Sequence, residues 1–188
     1  MNDLIYNQRK IPRAQWRYGL RASAATGCGW IATYNALRLM GYRAEPEALI
    51  RFYERQLPLI HGNAGTSILA PALFFRKKGF RVATTSVWEA LDERAMESDV
   101  CILFYYWRKK YRFGAHFITV RYRDGQFYGY NTFRDSEGPD PCGRSLASFL
   151  KKHHYFGPVL IGIRHPDTPE LKKQQALPCW KSHCYMRY

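Results

Sequence analysis

Apolar residues change their spacing partway along this chain. Between residues 28 and 40, Ile31, Tyr34, Leu37, Leu39 and Met40 recur at helical intervals and Gly41 follows as a stop, which predicts an amphipathic helix. Leu49, Ile50 and Tyr53 continue the spacing behind Pro46, a residue suited to a first helical turn. A further run passes through Leu69, Leu73 and Phe74 to Gly79, then a short strand is predicted at 80–84 and a short helix at 87–94. Residues 100–107 are almost continuously apolar over a strand's length, the pattern of a central strand. Segments 113–122 and 126–131 flank Asp124-Gly125, a strong hairpin signal. A Gly/Pro-rich loop is predicted at 138–143, a helix at 146–153 and a last strand at 158–164. Helices followed by antiparallel strands define an α+β layout.

The remaining segments lack such periods. Residues 1–20 mix charge and aromatics and are predicted to form an extended lead-in, while the segment from 166 on is polar and basic, with the character of a mobile tail. The expected organisation is one domain over 1–165 followed by that tail at 166–188. A length of 188 residues with 46% hydrophobic and 16% aromatic content suits a folded domain with a real core. No apolar run approaches the roughly 20 residues that span a bilayer, and the N-terminal residues lack the apolar core of a secretory signal. A cytoplasmic location is the expectation.

Charge and cysteines narrow the chemistry. The net charge of +14 favours acidic partners, or else forms a solvated basic surface. No nucleic-acid module signature accompanies it, so nucleic acid is not the expected partner. The five cysteines cannot all pair within one chain. Cys101 lies in an apolar run and reads as an inert buried thiol; Cys142 falls in the predicted loop. Cys179 and Cys184 flank His183 without a second ligand pair at zinc-like spacing, so neither a metal nor a cofactor is expected.

Cys28 is different. It stands between Gly27 and Gly29 where the first helix opens, and a helix N-terminus favours an anion such as a thiolate. Thr26 offers a capping hydroxyl, and the glycines would let a substrate backbone approach an exposed sulfur. Downstream, His116 follows the small residues Gly114 and Ala115 in an otherwise apolar strand; a core role would favour bulk before it, and small residues would open a channel to the ring. Asn131 ends the next strand, across one tight turn. Its amide is placed to fix the far nitrogen of a histidine that serves Cys28 as base, with Asp135 as the fallback. His61, His153, His154, His165 and His183 are weaker candidates by position.

The motifs Thr26-Gly27-Cys28-Gly29-Trp30, Gly114-Ala115-His116-Phe117-Ile118-Thr119-Val120 and Tyr130-Asn131 resemble those of papain-like cysteine peptidases. The branch most resembled is the bacterial one that removes double-glycine leaders from bacteriocin precursors, and the likeness covers roughly residues 15–165. It implies an α+β fold with the cysteine-bearing helix packed on an antiparallel sheet, and thiol-dependent amide hydrolysis. Many relatives in that branch carry aspartate where Asn131 stands. The family usually has a glutamine about six residues before the nucleophile, holding the oxyanion; here Ala22 occupies that place. The backbone N–H of Cys28 would be one oxyanion donor, with Gln15 first, then Tyr18 or Ser23, as the second.

The expected function is therefore hydrolysis of a peptide bond through an acyl-enzyme on Cys28, with His116 and Asn131 completing the triad. The substrate would be a peptide or protein, and the basic surface hints at an acidic one. Two alternatives stay open: acyl or peptidyl transfer by the same thiol, and a catalytically impaired module that binds an acidic partner.

Overall fold

The computed structural model describes residues 4–56 and 66–166. Its centre is a six-stranded, wholly antiparallel sheet in the order β3-β8-β4-β5-β6-β7. These strands are β3 (Arg81–Thr85), β4 (Val100–Lys109), β5 (Arg112–Arg123), β6 (Gln126–Tyr130), β7 (Asp140–Gly143) and β8 (Phe156–Arg164). The apolar run beginning at Val100 lies between β8 and β5, as its two-sided hydrophobicity requires. Asp124 and Gly125 both take positive φ, 51° and 80°, which matches the twist of the strands they join.

Each face of the sheet is covered. One packs against α2 (Cys28–Leu39), α3 (Pro46–Glu54) and α4 (Ala70–Lys77), with Ile102, Phe104, Phe117 and Ile161 pointing into that core. The other supplies Leu103, Tyr105, Ile118, Val120 and Leu160 to a second core beneath α5 (Leu91–Met96) and α6 (Leu146–Lys152). Alternation along β4 and β5 sends successive side chains to opposite cores. This is an α+β fold with the cysteine-bearing helix on an antiparallel sheet. Thr119 Oγ1 donates to the Ala32 carbonyl at 2.8 Å, pinning α2 to β5.

Three sequence expectations need correction. Residues 140–143 form β7 rather than loop, so Cys142 is a buried strand residue; the segment is too short and proline-broken to show a period. The lead-in is not merely extended. It contains a 3-10 turn at Gln8–Lys10 and a two-stranded hairpin of β1 (Arg17–Tyr18) and β2 (Arg21–Ala22), and it buries Ile11 and Tyr18 in the first core. Cys28 does not open its helix alone either. The short helix α1 (Ser23–Thr26) runs into α2 through Gly27, whose N–H bonds to the Ser23 carbonyl at 2.8 Å. Cys179, Cys184, His61, His183 and the predicted tail, except Pro166, lie outside the described residues.

Candidate active site

Cys28 is half-buried at the first position of α2, against the core that faces β5. Its flanking glycines are packing requirements. A Cβ on Gly27 would come within 2.6 Å of the Ser23 carbonyl and the Trp30 indole, and one on Gly29 within 2.5–2.7 Å of Thr66. Thr26 forms no cap: its hydroxyl is buried and has no hydrogen-bond partner among the described residues. Because α1 precedes α2, the field at Cys28 is weaker than at a free helix end.

Burial, opposed by backbone hydrogen bonding to Phe117, Gly29 and Cys28 itself, pushes the thiol above its ordinary range. Burial likewise pushes His116 below its ordinary value, against the opposing hydrogen bond to Asn131. Burial thus favours the uncharged form of both groups.

The hydrogen bond between His116 and Asn131 fixes the ring. His116 Nε2 lies 2.7 Å from the Asn131 backbone carbonyl. A carbonyl only accepts, so Nε2 must carry the proton and Nδ1 keeps its lone pair. His116 and Asn131 are therefore brought together, but through main chain rather than the asparagine amide. That amide is engaged elsewhere: the Gln8 N–H donates to Asn131 Oδ1 at 2.8 Å, and Asn131 Nδ2 donates to Gln8 Oε1 at 3.0 Å. Gln8 Nε2 in turn donates to the Ala24 carbonyl at 3.3 Å. Asn131 is buried with φ of 62°, a left-handed conformation that asparagine tolerates better than most residues. This clasp holds the carbonyl toward the ring.

Cys28 reaches β5 at the Phe117 backbone, one residue from His116. Among the described residues no hydrogen bond joins its sulfur to the His116 ring. The ring falls in the register of Ile118 and Val120, and it meets Tyr105 edge-on at 6.0 Å. The phenols of Tyr18 and Tyr105 are both held above their ordinary range, first by burial, and both also feel the Cys28 thiol.

The remaining candidates separate. Gln15 is exposed and lines a shallow groove with Pro12, Ser136 and Glu137, whereas His116 and Asn131 line a different cleft. Ser23 accepts from the Trp30 indole at 3.2 Å. Tyr18 is fully buried, and its hydroxyl accepts from Thr66 Oγ1 at 3.3 Å. Asp135 is exposed. Of the two small residues before His116, Gly114 is covered by the Trp107 indole, while Ala115 lines the same cleft as the ring. Gln8 escaped the sequence reading: it lies 123 positions from Asn131 in a segment without period, and only its amide side chain marked it. Among the described residues no group of three His, Cys, Asp or Glu side chains could hold a metal, and no helix is long and apolar enough to cross a membrane.

The arrangement is that of a cysteine-bearing helix set against a strand carrying an oriented histidine. No family model and no curated protein matches the sequence. Among solved structures, the chain is similar to the peptidase domain of Streptococcus ComA, a bi-functional ABC transporter involved in a quorum-sensing pathway. The identity is 14%, with 74% of this chain and 92% of that one covered, at a TM-score of 0.49. It is also similar to the Pseudomonas avirulence protein AvrPphB, at 13% identity over 75% of this chain and 92% of that one, with a TM-score of 0.41.

Proposed function

We propose that this chain is a thiol peptidase in which Cys28 is the nucleophile, His116 the base and Asn131 the residue that orients the base. The observation that carries the reading is the Nε2–Asn131 carbonyl hydrogen bond, which leaves Nδ1 as the basic nitrogen on the strand that Cys28 abuts. In the reaction Nδ1 takes the thiol proton as sulfur attacks the scissile carbonyl. The imidazolium keeps its Nε2–H bond to Asn131, then gives the Nδ1 proton to the leaving amine. Water next attacks the thioester, with His116 again as base, and regenerates Cys28. Hydrogen bonds of this kind often tighten only once substrate is bound, consistent with a resting site that lacks a sulfur–imidazole bond.

The oxyanion would be met by the Cys28 N–H and by the Tyr18 hydroxyl. Since that hydroxyl accepts from Thr66, its own proton is free to donate, and the phenol already lies in the electrostatic neighbourhood of the thiol. Exposed Gln15, first choice on sequence, takes second place.

The test is turnover of a peptide pool, with products read by mass spectrometry. Cys28→Ala and His116→Ala should abolish cleavage, and Tyr18→Phe should lower kcat by about 10²–10³ with little change in KM. Cleavage surviving in Cys28→Ala would refute the reading. Cleavage unaffected by Tyr18→Phe but lost in Gln15→Ala would return the oxyanion role to Gln15.

A further inference from the structure

His116 and Asn131 open onto a cleft of about 850 Å³ at one end of the sheet. Six cationic residues line it: Arg9 from the 3-10 turn, Arg108, Lys109, Lys110 and Arg112 from the β4–β5 hairpin, and Arg134 from the loop after β6. No Asp or Glu is among the lining residues. The chain does form ion pairs elsewhere, such as Lys10 with Glu137 and Arg94 with Glu97, but among the described residues none involves these six. Like charges converging from three separate segments on one concavity repel one another, and the low-dielectric walls focus their field inward. An evenly solvated basic surface would not concentrate them beside the candidate base.

We propose that this cleft binds the acidic side chains of a peptide, so that the site acts on segments rich in Asp and Glu. The proposal rests on the peptidase reading for its chemistry, though not for its binding. The aromatic residues of the cleft favour a peptide over single-stranded nucleic acid, which needs free ring faces on which bases can stack. Here Tyr105 and Tyr155 stack on each other at 4.2 Å, and His153 stacks on Tyr155 at 5.4 Å. The Trp107 indole rests on Gly114, so Tyr111, with the Lys110 ammonium 5.3 Å from its centre, is the one largely exposed ring among these. The cations remain available to carboxylates, which arginine can engage in bidentate fashion.

The experiment uses the full chain carrying Cys28→Ala and follows fluorescence anisotropy with three labelled probes. These are a ten-residue peptide with four Asp or Glu, its Asn/Gln counterpart, and a ten-nucleotide oligothymidylate. The acidic peptide should bind at least tenfold tighter than its amide counterpart, and the preference should shrink in about 0.5 M salt as charges are screened. Adding Arg108→Ala and Arg112→Ala should reduce it to under threefold, whereas adding the exposed pair Arg76→Ala and Arg123→Ala should leave it. An unchanged Cys28 alkylation rate in the Arg108/Arg112 variant with its cysteine intact will show that the site still folds. Equal binding of the two peptides, or tighter binding of the oligonucleotide, overturns the proposal. Acidic preference without cleavage by the wild type upholds the cleft and refutes the hydrolytic reading; cleavage without acidic preference does the reverse.

Discussion

The Asn131 side chain and the His116 ring are linked through a backbone carbonyl, which changes what substitution of Asn131 should do. An aspartate at 131 can still accept from the Gln8 N–H, and a flipped Gln8 amide can donate to its second oxygen at the cost of its weak bond to the Ala24 carbonyl. Asn131→Asp should therefore keep turnover within severalfold of wild type. Asn131→Ala loses both hydrogen bonds and strains a left-handed φ, so turnover should fall about tenfold or more. Gln8→Ala keeps the backbone N–H bond and adds no strain at 131, so it should cost less, and the double variant should be little worse than Asn131→Ala alone. Additive losses in that cycle would show that the two residues act separately. The thiols offer a second test. Cys101 and Cys142 are buried and each pushed up to about 12 by that burial, with Asp140 adding to the effect at Cys142, while Cys28, also raised by burial, is the one of the three that is only half-buried. Of these three, Cys28 should be alkylated first, at a rate that climbs as pH rises past the ordinary thiol range instead of levelling near neutrality. Peptide mapping after iodoacetamide treatment measures both.

Among the elements, α2 carries the clearest sequence signature and the most consequential misreading. Its packing on a sheet was implied by the resemblance of the cysteine and histidine motifs, and its period and its Gly41 stop were legible as an apolar stripe with a terminator. The meaning of Gly27 and Gly29 was not, since the groups that exclude a Cβ come from α1, Trp30 and Thr66, and sequence does not show which neighbours fold back. Gly29→Ala should destabilise the fold by about 1–3 kcal/mol, measured by urea denaturation, and Thr66→Gly in the same chain should recover part of the loss. The α2–α3 contact offers another check. Thr33 and Tyr53 share a buried hydroxyl–hydroxyl hydrogen bond, so Tyr53→Phe should cost about 1–3 kcal/mol by leaving the Thr33 hydroxyl unpaired. The predicted strands reappear nearly in place because a two-residue alternation and the Asp124-Gly125 turn are local signals. The lead-in and β7 carry no such signal; long-range hydrogen bonds and burial shape them.

Across the whole molecule, the two central titratable groups bracket a range of stable pH. The folded His116 pKa lies below its unfolded value, so its contribution is complete above about pH 6.5 and is lost as pH falls toward the folded value. The folded Cys28 pKa lies above its unfolded value, so its contribution is complete below about pH 9 and is lost as pH rises toward the folded value. Thermal midpoints should stay flat between these limits and decline outside them, and His116→Gln should flatten the acid side. The net charge of +14 was visible at once in the sequence, yet its concentration around one cleft was not, because Arg9, Arg112 and Arg134 meet only after the sheet forms.

The lead-in that clasps Asn131 also grips α2. The Ile5 N–H donates to Asn35 Oδ1 at 2.9 Å, and Asn35 Nδ2 donates to the Ile5 carbonyl at 2.8 Å. Two asparagines, one on the helix and one after β6, thus anchor the same few N-terminal residues at Ile5 and Gln8. Thermodynamic linkage makes such a tether work in both directions. An inhibitor bonded to Cys28 that engages the His116 ring would steady Asn131 through its carbonyl, and with it the first turn of the chain. In deuterated solvent the Gln8 amide should then exchange more slowly after the thiol is capped, reporting occupancy of the site from the lead-in.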